Sequence, residues 1–260
     1  MTSGTAGAGS GAPTSAAAPL PVVIVPGWCC DETSLAPLVA LLRRSRPVLV
    51  VDLPGHAAAS GAPAAPASTL TALAELVLQQ LSERALGPCC LVGHSMGAVI
   101  ALIGGARPDL VAAVVALDPS PLLDQRGKDF FAGAVEQVSA DVDGAWRRRF
   151  VERLLRRPEA PGAAMLIAGF TAVSPQVAAA ECQAIAEVDG AAVLAGIRVP
   201  ALLVTARAPE QGIVDALPGL HVGRVVGSGH FVGLEAPEQV APMVERFLEL
   251  CALSSGPPSS

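Results

Sequence analysis

The sequence predicts an α/β fold: a mostly parallel central sheet of about six strands with helices on both faces, and an all-helical lid inserted after the fourth strand. Three observations carry this. From Val22 onward, short β-branched or leucine-rich runs alternate with longer helical stretches. The pentapeptide Gly93-His94-Ser95-Met96-Gly97 stands between a strand-type run and a helix-compatible one. With 52% hydrophobic residues, the 260 positions supply one sizeable core.

The strands are expected at Val22 to Val25, Pro47 to Val51, Cys89 to Val92, Val111 to Leu117, Ala201 to Thr205 and Val222 to Val226. Helices are expected near Ser34 to Arg44, Ser68 to Ala85, Met96 to Ala106 and Pro237 to Leu250. From about Leu122 to Gly190 the alternation stops, and strand-poor Ala- and Arg-rich sequence reads as several helices broken at Pro158, Pro161 and Pro175. The expected organisation is a tail at 1–19, core at 20–121, lid at 122–190, core again at 191–252 and a second tail at 253–260. Both tails are read as disordered, from their Ala, Gly, Ser and Pro content. No internal repeat is apparent.

Composition excludes several classes. The net charge of -6, with one Lys among seventeen basic residues, leaves no extended basic stripe for nucleic acid. Six cysteines fall as Cys29-Cys30, Cys89-Cys90, Cys182 and Cys251, which fits neither a metal knuckle nor a secreted disulfide framework, so free thiols are expected. The first residues lack the charged and apolar regions of a signal peptide, and Gly, Pro or charge interrupts every apolar run short of a membrane span. The expectation is a soluble, cytoplasmic protein. There is no Tyr, so the core rests on aliphatic residues, and most of the aromatic side chains (Phe130, Phe131, Trp146, Phe150, Phe170) sit in the helical insertion. Most of these rings are expected to pack the insertion onto the core. Trp146, Phe150 and Leu154 form one stripe at helical spacing, facing pocket or core. Arg147, Arg148, Arg149, Arg153, Arg156 and Arg157 read as a solvated helix face; holding an acidic group, such as a phosphopantetheine carrier or a substrate carboxylate, is the alternative.

Ser95 carries the chemistry. At a strand-to-helix corner a serine is forced into a strained backbone, and flanking glycines are needed where a Cβ would strike the neighbouring strand or helix. Such a serine needs a base with a pKa near 7, for which the chain offers His56, His94, His221 and His230. His94 is locked beside the serine and points away by strand alternation. His221 precedes a strand as a surface or structural group.

The order of elements, the elbow and the loops around it resemble the α/β-hydrolase superfamily over roughly residues 20 to 252, without the two strands that usually open that fold. The resemblance implies a serine hydrolase that cleaves a carboxylic ester or thioester of an apolar small molecule, free or carrier-bound, through an acyl-enzyme on Ser95, with no metal and no cofactor. It places the base in the loop after the last strand, at Gly227-Ser228-Gly229-His230-Phe231, and makes the Asp52-Leu53-Pro54-Gly55-His56 loop structural. The acid departs from the commonest pattern. The loop after the penultimate strand, Thr205 to Gln211, holds no Asp; Glu210 is its only carboxylate. A minority of the family takes the acid from the end of the preceding strand, where Asp118-Pro119 stands here, so Asp118 is favoured over Glu210. By the same resemblance the backbone N–H groups of Met96 and Trp28 form the oxyanion hole, the latter in a Pro26-Gly27 loop where the family usually has His-Gly.

Pro26-Gly27-Trp28-Cys29 also resembles a loop of the cofactor-free dioxygenases that cleave N-heteroaromatic rings on this fold. In that alternative, or in a base-catalysed cyclase, His230 and Asp118 deprotonate the substrate and Ser95 only hydrogen-bonds. Those dioxygenases carry a second histidine where this chain has Met96. A non-catalytic ligand receptor or partner protein, a third class, would not need both Ser95 and His230.

Overall fold

Strand alternation decides the layering. In β1, Val22–Val25, the side chains of Val22 and Ile24 enter one apolar cluster, and those of Val23 and Val25 enter the other. The first cluster lies under α1 (Ala36–Leu42) and α11 (Pro237–Ser254). The second lies under α2 (Leu70–Glu83) and α3 (Met96–Gly104). All four residues of β1 are fully buried, the condition that makes a strand of a parallel sheet read as a continuous apolar run. Each such aliphatic side chain contributes about 1.5–3 kcal/mol relative to exposure.

The computed structural model describes residues 18–56, 69–119 and 122–254. Its sheet is wholly parallel with six strands in the order β2-β1-β3-β4-β5-β6: β2 is Val48–Val50, β3 Cys89–His94, β4 Val111–Leu117, β5 Ala201–Thr205 and β6 His221–Arg224. The first strand is therefore central, and the order reverses between β1 and β3, where the carboxyl ends of the strands leave a crevice.

Between β4 and β5 the chain forms α4 (Gln125–Ser139), α5 (Ala145–Leu154), α6 (Ala163–Ala172), α7 (Pro175–Glu187) and α8 (Gly190–Gly196). Two of the four breaks fall at the expected prolines, Pro158 and Pro161 between α5 and α6 and Pro175 as the first residue of α7 behind a Ser174 cap; the other two, at Gly144 and Asp189, have no proline. Gly190 packs against Leu122, its missing Cβ standing where it would be 2.0 Å from the Leu122 carbonyl oxygen, so the insertion leaves and re-enters the core at one point.

Some boundaries differ from expectation. β3 runs two residues past Val92 to reach Ser95, and β6 begins at His221 rather than after it. α11 continues through Leu253 and Ser254, which were expected to be tail. The rest of the expected tails, 1–17 and 255–260, lies outside the described residues. Two short helices, α9 (Gln211–Ala216) and α10 (Val232–Glu235), gave no periodic signal because four to six residues barely complete one turn. No single helix among the described residues is long and apolar enough to cross a membrane.

Candidate active site

Ser95 stands between the end of β3 and the start of α3 with φ 54° and ψ −118°. A non-glycine residue at positive φ is strained, and the packing shows what imposes it. A Cβ on Gly93 would lie 2.0 Å from the Gly97 carbonyl oxygen, and one on Gly97 would lie 2.2 Å from the carbonyl oxygens of Val25 and Pro26. Helix α3 is thus seated directly on β1 and β3, and the serine takes up the sharp turn. The N–H of Met96 opens α3, at the positive end of its dipole. Gly27 brings the loop after β1 against the elbow, and neither the Met96 nor the Trp28 N–H donates to a protein acceptor among the described residues.

His230 and Asp118 meet. Nδ1–H of His230 donates to Asp118 Oδ2 at 2.7 Å, which leaves Nε2 as the unprotonated nitrogen. Asp118 ends β4 at φ 40°, its N–H bonded to the Val204 carbonyl at 2.7 Å and its Oδ1 accepting the Ala206 N–H at 3.3 Å. Burial pushes the Asp118 carboxyl up, but the hydrogen bond and charge of His230, with His94 and the Ala206 N–H, hold it below its ordinary value. The loop after β5 therefore supports this carboxylate through a backbone N–H instead of supplying one. Glu210 is engaged elsewhere: its carboxylate accepts the N–H groups of Leu122 (3.5 Å) and Leu123 (2.9 Å), where the insertion begins.

Ser95 and His230 open onto one cavity of about 480 Å³ at the carboxyl ends of the strands. Among the described residues the Ser95 hydroxyl is not hydrogen-bonded to His230; such a contact commonly tightens only when substrate binds. The cavity is walled by Trp28, Phe130, Phe131, Phe150 and Phe170, so four of the five insertion rings line it. This corrects the expectation that most of them serve only to pack the insertion onto the core. The stripe on α5 faces the cavity through Phe150 and Leu154, with Trp146 stacked behind Phe150 at 5.4 Å. The Trp28 ring meets Phe131, Phe150 and Phe170 edge-on at 5.6, 5.4 and 5.3 Å, and its Nε1–H donates to the Ala178 carbonyl on α7 at 2.9 Å. Cys30 also lines the cavity, but burial pushes its thiol well up, so it is no thiolate at neutral pH.

Polar groups that sequence reasoning left aside hold this arrangement. Contrary to the expectation that it points away, His94 lines the cavity with its buried ring 4.7 Å from that of His230; its Nε2–H donates to the His230 carbonyl at 3.0 Å, while Nδ1 has no hydrogen-bond partner among the described residues. Burial, and the neighbouring His230, push its pKa down to about 3, so it stays neutral. His56 is buried, its Nδ1–H donating to the Cys30 carbonyl and its Nε2 2.7 Å from Glu181 Oε1 on α7, so this loop is tied to the lid. Arg147 departs from the expected solvated face: fully buried, it pairs with Asp141 at 2.9 Å and donates to the Val173 carbonyl, whereas Arg148, Arg149, Arg153, Arg156 and Arg157 are exposed. No local capping signal marked this pair: the cap of α5 is Gly144, and Asp141 reaches the N–H groups of Trp146 and Arg147 from three residues before it. Among the described residues no group of three or more His, Cys, Asp or Glu is arranged to hold a metal ion.

A parallel sheet, an elbow serine at positive φ and a histidine–aspartate pair after β6 and β4 define a class, and the comparisons agree. The chain belongs to the alpha/beta hydrolase family, whose model matches residues 22–243. It is 29% identical to the biotin biosynthesis bifunctional protein BioHC of Cellvibrio japonicus over 89% of this chain and 48% of that one. It is 30% identical to the pimeloyl-[acyl-carrier protein] methyl ester esterase of Chromobacterium violaceum over 78% of this chain and 79% of that one. The chain spans less than half the length of several curated relatives that it matches. Among solved structures, an esterase from Thermogutta terrifontis superposes with a TM-score of 0.77 at 22% identity, covering 90% of this chain and 91% of that one, which speaks to the fold.

Proposed function

We propose that this protein is a serine hydrolase cleaving a carboxylic ester or thioester of an apolar small molecule through an acyl-enzyme on Ser95. The observation that carries the reading is the His230–Asp118 hydrogen bond at 2.7 Å, opening onto the same cavity as a serine held at positive φ. His230 Nε2 takes the proton of the Ser95 hydroxyl as its oxygen attacks the ester carbonyl carbon. The oxyanion is held by the N–H groups of Met96 and Trp28, each worth about 3–4 kcal/mol when well placed. The imidazolium, stabilised by Asp118, then protonates the leaving alcohol or thiol. Water, deprotonated by the same nitrogen, releases the acid and restores Ser95. The ring-lined cavity supports an apolar substrate. The name of the Chromobacterium violaceum relative brings in a carrier-bound acyl ester, for which the exposed arginines of α5 offer complementary charge.

A fluorophosphonate probe tests the nucleophile: it labels wild type at Ser95 and leaves Ser95→Ala unlabelled. A folded wild type that takes no label overturns the reading. The placement of Asp118 after β4 also suits a base-driven oxygenase or cyclase, and that reading predicts the reverse mutant pattern, with His230→Ala inactive, Ser95→Ala only weakened, and oxygen uptake during turnover for the oxygenase.

A further inference from the structure

We propose that Glu235 is a positioning residue: its buried carboxylate fastens the loop carrying His230 to the end of lid helix α5 and thereby sets where the imidazole stands. The inference rests on the hydrolase reading above and concerns the mounting of its base.

Glu235 ends the short helix α10 and is 2% exposed. A carboxylate at that depth is tolerable only when hydrogen bonds replace its lost water. Its Oε1 accepts the N–H groups of Arg156 and Arg157 at 2.8 and 2.6 Å, just past the C-terminus of α5. Its Oε2 accepts the Gly229 N–H at 2.8 Å and shares the Ser228 hydroxyl, 3.4 Å away, with the Gly229 carbonyl at 3.1 Å, both residues in the loop that leads into His230. One side chain thus satisfies two donors from the lid and two from the base loop. Arg157 closes the clamp from outside, its Nη1 donating to the Glu235 carbonyl at 2.9 Å.

The same seam holds the peptide of the histidine itself. The His230 N–H donates to the Leu154 carbonyl, the last residue of α5, at 3.0 Å, and the His230 carbonyl accepts from His94 at 3.0 Å. With its backbone pinned on the lid side by α5 and on the elbow side by His94, the ring is left with its side-chain torsions, which the Asp118 hydrogen bond orients. Freeing the loop from Glu235 releases the lid-side pin, and misplacement of a base by about 1 Å costs about 10²-fold in rate. Glutamine cannot substitute: one of its two terminal atoms is a donor, and it would face either the two arginine N–H groups or the pair from Ser228 and Gly229.

The test measures kcat and KM on p-nitrophenyl esters for wild type, Glu235→Gln and His230→Ala, with thermal melts to confirm folding. Glu235→Gln is expected to lower kcat by about 10²-fold while KM stays within about twofold, because base placement acts on the transition state alone. A folded Glu235→Gln with wild-type kcat, or with only KM raised, overturns the proposal in favour of a carboxylate that merely anchors the lid. Arg156→Pro keeps the proposal testable if Glu235→Gln does not fold. It deletes one N–H donor from an exposed residue, and Leu155 before it is already extended (φ −78°, ψ 130°), as a following proline requires. It should reproduce the kcat loss in smaller measure; unchanged kcat in this variant overturns the proposal. Wild type that neither hydrolyses esters nor takes the fluorophosphonate label overturns the hydrolase reading itself, an outcome distinct from equal activity in wild type and Glu235→Gln.

Discussion

The half of the site carried by the sheet and the half carried by the helical insertion are held in place by different interactions. Ser95 and Asp118 sit at the ends of β3 and β4, positioned by aliphatic layers on both faces of the sheet and by backbone collisions at the elbow. The insertion is held by a few buried polar groups: Arg147 with Asp141, His56 with Glu181, Glu210 with the Leu122 and Leu123 N–H groups, and Glu235 at the end of α5. Aliphatic layers spread their energy over many contacts and tolerate change at any one. Buried charged groups concentrate it, because removing one partner strands the other in a dry interior. The sheet half should therefore govern the chemical step, and the insertion should govern binding and fail at single residues, with Glu235 the exception because it also holds the loop of the base.

The sharpest contrast is at the serine. Ser95→Ala is expected to lower kcat by about 10⁴-fold to 10⁶-fold with an unchanged thermal midpoint, read on an ester panel; a loss under tenfold would remove the sheet half from the chemistry. Asp118→Asn should lower kcat by about 10⁴-fold, since the amide no longer stabilises the imidazolium or selects the tautomer. Glu210→Gln should leave kcat near wild type, as that carboxylate bonds the lid entry, and equal losses in the two variants would undo the assignment. Arg147→Ala leaves Asp141 buried without its counter-charge, held only by backbone N–H groups, and should cost about 3–5 kcal/mol in urea unfolding. Ile24→Val in the sheet should cost about 0.5–1.5 kcal/mol, so matching values would break the comparison. Phe150→Ala, which opens the ring-lined wall, should raise KM for bulky acyl esters and spare kcat for acetate esters.

The smallest effect is a pH dependence of lid attachment. Burial alone would lower the His56 pKa, but the charge and hydrogen bond of Glu181, with the Cys30 carbonyl and Asp31, raise it above its ordinary value. A raised folded-state pKa contributes stability that is complete below the unfolded value of about 6.5 and is lost as pH rises through the folded value. The difference in thermal midpoint between wild type and His56→Gln should accordingly shrink from mildly acidic to alkaline pH. A difference that grows instead would mean that His56 is held neutral. For Asp118 the sign is opposite: its lowered pKa stabilises the fold above its ordinary carboxylate range and ceases to do so as pH falls through the folded value.

Much of this was legible in the chain. Strand runs and the elbow followed from local patterns, because each depends on residues close in sequence, whereas His230 as base and Asp118 as the favoured acid were what the family resemblance implied. Glu235 and Glu181 were not recognised. Each sits in a mostly apolar helical stretch, Val232–Glu235 and Pro175–Glu187, and its most distant partner lies 79 and 125 positions away respectively. The rings of the insertion were visible but not their direction, since a helix stripe looks the same whether it faces a core or a cavity.

By itself, then, the sequence determined the parallel α/β architecture and the strained corner at Ser95, because periodicity and glycine placement act over a few residues, and its resemblance to a family singled out the candidate partners. Only the tertiary structure decided that Asp118 and not Glu210 meets His230, that the lid rings enclose the cavity, and that Glu235 ties α5 to the base loop. These are juxtapositions of groups far apart along the chain, and they exist only once the sheet has set the distances between its strand ends.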